Sequence, residues 1–152
     1  MKYRSFTITN YKGIKNLSID LDIQPAHKIY TLVGLNESGK TTILEAINDF
    51  EFDVPENQRH LLIPKSVAGG FTGEITIKAV LSFSENDKIK IRDFVKGKIK
   101  KINEVIVKDS FTFTRTYSFV NSQPGEAKRT YTPFVETKKT KRSQSLSIDP
   151  NV

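Results

Sequence analysis

The chain has 152 residues, a formal net charge of +7, 37% hydrophobic and 27% charged side chains, and no cysteine. That length and balance suit one globular domain with a single core rather than a disordered chain. No apolar run reaches the ~20 residues of a membrane span and no signal-peptide core opens the sequence, and without cysteine there is no disulfide framework or thiolate metal site; the expected setting is the cytoplasm, with no membrane partner.

Taken in order, "RSFTITNY" sets Phe6 and Ile8 against Ser5, Thr7 and Thr9, the period of a half-buried strand. "NLSIDLDI" repeats it with Leu17, Ile19, Leu21 and Ile23. Between them Asn10–Lys15 contains Gly13 and reads as a turn, so the two strands should form a hairpin. After Pro25, "KIYTLVG" is short and nearly continuously apolar, as in a strand buried on both faces. Ile43, Leu44, Ala46, Ile47 and Phe50 then recur at helical spacing, with Thr41 and Thr42 in the first turn.

Residues 53–73 hold two prolines and three glycines and read as a long connection. Ile75, Ile77, Ala79, Leu81 and Phe83 mark another strand. Residues 85–103 favour a helix, weakened by Gly97. "SFTFTRTYSFV" is antiparallel-sheet patterning, with "NSQPGEAK" as the expected hairpin loop. Its aromatic stripe reads as core rather than as a base-stacking platform. From Glu136 the chain turns polar, so the expected division is a folded unit over 1–135 and a basic tail or continuation over 136–152.

Charge is concentrated in Lys88–Lys101, where seven Lys or Arg face one Asp. Such a run is either a solvated face or a contact for nucleic-acid phosphates, and Lys96, Lys98, Lys100 and Lys101 are its densest part.

The chemistry sits in "LVGLNESGKTTILEAI". Gly34, Gly39, Lys40 and Thr41 satisfy G-x-x-x-x-G-K-[ST] between an apolar run and an amphipathic helix. Glycines let the backbone curl so that its N–H groups face an anion. The helix adds unpaired N–H groups and the positive end of its dipole. A lysine then reaches the β- and γ-phosphates and a hydroxyl reaches Mg²⁺. This is the pattern of a nucleoside-triphosphate site. His27 and His60 lack partners at ligand spacing, and no serine stands in a G-x-S-x-G elbow.

"FTITNYKGIKNLSIDL" followed by that loop resembles the start of ABC-type ATPases of the SMC/RecF kind, closest to the AAA family ATPases related to OLD (overcoming lysogenization defect) nucleases. The likeness covers about residues 3–50. The family loop G-x-N-x-S-G-K-[ST] is matched by Gly34, Asn36, Ser38, Gly39, Lys40 and Thr41. The resemblance implies an α/β (α+β) fold: the N-terminal lobe of a P-loop NTPase head, with a mixed or antiparallel sheet and a Walker A helix. It implies ATP and Mg²⁺ held by Gly34, Asn36, Glu37, Ser38, Gly39, Lys40, Thr41 and Thr42, with Thr41 on the metal. Lys12 of "NYKG" matches the basic residue that in such heads reaches the nucleotide.

Such heads finish their site with a Walker B strand ending in Asp-Glu and a serine-glycine-rich signature. No apolar run here ends in adjacent acids, so no catalytic residue is expected in this chain. Neither Gln123 nor Gln144 can be assigned as the family's glutamine. The resemblance therefore implies the N-terminal half of an ATPase head whose partners are its C-terminal half, a second protomer and DNA. An OLD-like nuclease in phage defence leads. An SMC/RecF-type repair or chromosome-maintenance ATPase, and a basic nucleic-acid module with a vestigial loop, are the alternatives.

Overall fold

The computed structural model describes residues 1–22, 29–35, 39–65, 67, 70–99 and 102–139. In chain order these form β1 (Lys2–Tyr11), β2 (Ile14–Asp20), α1 (Lys40–Glu51), a 3₁₀ helix (Glu56–Leu62), β3 (Gly73–Ser82), α2 (Glu85–Lys98), β4 (Ile102–Val107), β5 (Ser110–Val120), β6 (Gln123–Tyr131) and β7 (Val135–Lys139). The order β2-β1-β3-β5-β6 makes a five-stranded sheet, and β4 and β7 make a two-stranded one. Every pairing is antiparallel. This is an α+β fold.

The period-2 pattern sorts the large sheet into two faces. Register places Phe6 beside Ala79, Ile8 beside Ile77 and Ala79 beside Phe113 on the apolar side. On the other side Thr9, Thr76 and Thr116 share one row, and Thr7, Lys78 and Thr114 the next. The helix α1 covers the apolar face through Ala46 and Phe50, both buried. The Phe50 ring stands edge-on to Phe6 at 5.5 Å and to Phe113 at 5.1 Å, a geometry that favours the ring quadrupoles.

One charge lies within this apolar face. Arg115 is 2% exposed, and its Nη1 donates to Asp53 Oδ1 at 3.0 Å while Nη2 approaches the Glu51 carbonyl at 3.5 Å. A cation at the carboxyl end of α1 complements the helix dipole. The paired carboxylate of Asp53 offsets the desolvation of the guanidinium.

α2 packs on β4, and β7 completes this small unit. A capping box opens α2: Ser84 Oγ accepts from Asp87 N at 3.2 Å, and Asp87 Oδ2 accepts from Ser84 N at 2.9 Å. The N-terminal ammonium also meets Asp87, at 2.7 Å. Lys88 ties to Glu85 at 2.7 Å and to Asp109. Phe83, Phe111 and Phe134 stack within 5.3 Å of one another and join the unit to the main sheet.

Four expectations change. Residues 29–35 form no strand, and Ile29, Val33 and Leu35 are more than four-fifths exposed (83%, 90% and 86%). A run of buried-strand composition needs a ladder on each side, and none of the seven strands here pairs with it. The expected loop "NSQPGEAK" shrinks to Asn121 and Ser122, whose φ angles of 47° and 63° meet the need of a two-residue hairpin for left-handed central residues. Pro124 and Gly125 lie in β6 beside a register shift, where a Cβ on Gly125 would stand 2.8 Å from Ser118 Oγ. Glu136–Lys139, read as tail, pair with β4 in β7, and Ile102 and Asn103 belong to β4 rather than to the helix.

Phe50→Ala should destabilise the chain by about 3–5 kcal/mol, read by denaturant unfolding, because it empties the centre of the helix–sheet contact. Hydrogen bonds from the N-terminal ammonium and Ser84 hold the Asp87 carboxyl below its ordinary value of 3.8, and a hydrogen bond from Lys88 does the same for Asp109. Both groups are more acidic folded than unfolded, so their stabilisation is complete above that value and fades as pH falls below it. Hydrogen-exchange protection factors in α2, corrected for intrinsic rates, should therefore fall on acidification before those in β1 and β3 do; simultaneous loss would contradict this assignment.

Candidate functional site

The site begins at a joint in the backbone. Gly39 has φ 84° and ψ 8°, a left-handed conformation that side-chain-bearing residues rarely adopt, and α1 starts at the next residue. The N-cap position is Gly39, which has no side chain to cap with, and no acid stands in the first turn of α1. That turn lies at the positive end of the helix dipole, which favours an anion there.

Lys40 does not point away from the loop. Its Nζ donates to the carbonyls of Gly34 at 2.7 Å and Leu35 at 2.5 Å, so the ammonium bridges the two ends of the G-x-x-x-x-G-K segment. Thr41 and Thr42 follow in the first turn, and both line a cleft of about 510 Å³, a size typical of small-molecule sites. Asn36, Glu37 and Ser38 lie outside the described residues.

Lys12 reaches the same place from the β1–β2 hairpin. Its φ is 50°, and the turn aims its side chain at α1, where Nζ meets Glu45 Oε2 at 2.8 Å. Its backbone N–H donates to the Leu62 carbonyl at 2.9 Å. The neighbouring Tyr11 is buried and donates from its hydroxyl to Asp49 Oδ2 at 2.6 Å. Burial first, and then the Asp49 carboxylate, push that phenol far above its ordinary value and keep it a donor. Consecutive hairpin residues therefore grip carboxylates one helical turn apart.

Two residues on the cleft wall were missed by sequence reasoning. Glu45 reads from periodicity as a helix-surface residue, yet it lines the cleft with Lys12 and Thr41. Its place at the fourth residue after Thr41 was the available signal. Lys65 lines the cleft as well, from the connection after the 3₁₀ helix, where no motif marks it.

The basic run is divided by the fold. Lys88 is 9% exposed and held by its two acids, so it offers no cation to a partner. Lys96 and Lys98 are exposed in the last turn of α2, with Lys98 Nζ 5.8 Å from the Phe94 ring centre. Lys100 and Lys101 lie outside the described residues. His60 is exposed on the 3₁₀ helix, and His27 lies outside the described residues. No group of three His, Asp or Glu suited to a metal occurs among the described residues, and no described helix is long and apolar enough to cross a membrane.

None of the curated proteins compared matches the chain. The sequence does match the AAA ATPase domain over residues 1–149, nearly its whole length, so the protein joins a left-handed glycine, an acid-free helix start and a lysine-closed loop to a family of ATP-binding domains: the chain belongs to the AAA ATPase domain family.

Proposed function

We propose that the loop from Gly34 to Thr41 binds the triphosphate of ATP, and that the chain is the nucleotide-binding portion of a larger ABC-type ATPase acting on DNA, of the OLD-like nuclease kind in phage defence. The observation that carries the first part is the left-handed Gly39 opening directly into a helix with no acid in its first turn, with Lys40 folded over the loop. Lys40 moves from the carbonyls of Gly34 and Leu35 to the β- and γ-phosphates. Asn36, Glu37 and Ser38 complete the cradle, Thr42 faces the cleft, and Lys12 meets the nucleotide from the hairpin. The hydroxyl of Thr41 is a hard oxygen donor free of competing carboxylates in the first turn, so the residues fit Mg²⁺ held jointly with phosphate oxygens. The metal supplies charge neutralisation of the phosphates.

Water activation falls to groups supplied by a C-terminal half of the head and a second protomer. The unpaired apolar segment 29–35 supports this reading, since it has the composition of a central strand. The DNA part is supported by α2, where Lys96 and Lys98 are exposed in the last turn, Lys98 beside the exposed Phe94, while Lys88 is neutralised internally. The SMC/RecF-type reading without a nuclease shares every one of these features. A Toprim-like acidic cluster associated with this domain would indicate a nuclease, and a long heptad arm the SMC type. The cytoplasm is the proposed compartment.

Titration calorimetry should detect ATP–Mg²⁺ binding that Lys40→Ala weakens by ten-fold or more, the worth of roughly 1.5–3 kcal/mol for a hydrogen bond to a charged group. Gly39→Val should weaken it as well, because φ 84° strains a β-branched residue. Steady hydrolysis by this chain alone, abolished by Lys40→Ala, would overturn the claim that catalytic groups come from elsewhere. Duplex DNA binding should decline as salt rises and weaken when Lys96 and Lys98 become Gln, with ATP affinity unchanged.

A further inference from the structure

The geometry points to Glu45 as a positioning residue for the nucleotide, one that aims the Lys12 ammonium at the phosphates; this rests on the ATP reading of the loop. Two ties fix the Lys12 backbone. Its φ of 50° belongs to the tight turn after β1, and its N–H is held by the Leu62 carbonyl at 2.9 Å. What remains free is the four-carbon stem, which carries large rotamer entropy. Glu45 removes that freedom by holding Nζ at 2.8 Å, with the Tyr11 ring 5.4 Å beneath it.

The direction of this restraint matters. Glu45 lies one helical turn beyond Thr41 on the same side of α1, and Lys12, Thr41 and Glu45 together line both the 510 Å³ cleft and a neighbouring one of about 420 Å³. The ion pair therefore keeps the ammonium on the wall of the cleft that Thr41 also lines. An ammonium has three N–H donors and Glu45 takes one, so donors remain for an anion entering the cleft. Tyr11, one residue before Lys12, and Asp49, one turn beyond Glu45, keep the hairpin seated, so loss of Glu45 frees the lysine without unseating the turn.

The test measures ATP–Mg²⁺ affinity by titration calorimetry and thermal stability by melting, on the full chain. Glu45→Gln should lose about ten-fold in affinity with little change in melting temperature, as for an exposed pair. Lys12→Met should lose at least as much, and the double variant no more than Lys12→Met alone. The exchanged pair, Lys12→Glu with Glu45→Lys, should melt like the wild type yet remain weak for ATP, because the cation now starts from the helix. Wild-type or tighter binding by Glu45→Gln, additive losses in the double variant, or restored affinity in the exchanged pair would each overturn the proposal while leaving the ATP reading standing. A wild type that binds no ATP overturns that reading, and this inference with it.

Discussion

The contact that everything else depends on is one helix lying on one face of an antiparallel sheet. Phe50 and Ala46 of α1 seal against Phe6, Ile8, Ile77, Ala79 and Phe113. The helix start cannot then be placed independently of the sheet. If the carboxyl end of α1 is packed by Phe50 and clasped by Arg115 and Asp53, a rigid rod of twelve residues sets where Lys40 emerges. The apolar contact is non-directional and supplies the bulk of the stabilisation; the polar ties at Glu45, Asp49 and Asp53 choose the orientation of the rod.

The hairpin joining β1 to β2 belongs to the same arrangement. It contributes strands to the sheet and, at its tip, two side chains to the helix. Asn10 and Lys12 both sit at positive φ, and Asn10 Nδ2 donates to the Glu74 carbonyl at 3.0 Å, so the turn is tethered to β3 as well as to α1. Sheet, helix and 3₁₀ segment meet at this single corner, beside the start of α1.

The sequence made much of this readable, for stated reasons. The strands around Phe6, Ile77 and Tyr117 follow strict alternation, and antiparallel sheets with one wet face write that period directly. The helix after the loop was legible from Ile43, Ala46, Ile47 and Phe50, and the loop itself from its glycines and lysine. The failures have a common cause, which is that local pattern carries no information about partners. The run ending at Gly34 has the composition of a buried strand, but burial requires neighbours that composition cannot summon. β7 was invisible because "VETKK" is polar, and only its ladder with β4 makes it a strand. "NSQPGEAK" has turn-forming residues throughout, yet the register assigns most of them to β6. Glu45 escaped notice because its role depends on a lysine thirty-three residues earlier.

The outward face of the large sheet is paved by Thr7, Thr9, Thr76, Thr114 and Thr116, with Ser5 and Ser118 at its margins. Threonine is shaped like valine, so this face joins a strand former's backbone preference to a wettable hydroxyl. Among these hydroxyls stand the exposed charged chains of Glu74 and Lys78, so wetting is shared between single oxygen atoms and a few longer side chains. A handful of Thr-to-Val replacements would leave fold and register intact while turning a hydrated plane into a greasy one. The surface least involved in the chemistry is, in this sense, the one from which the lineage could most readily grow a new contact.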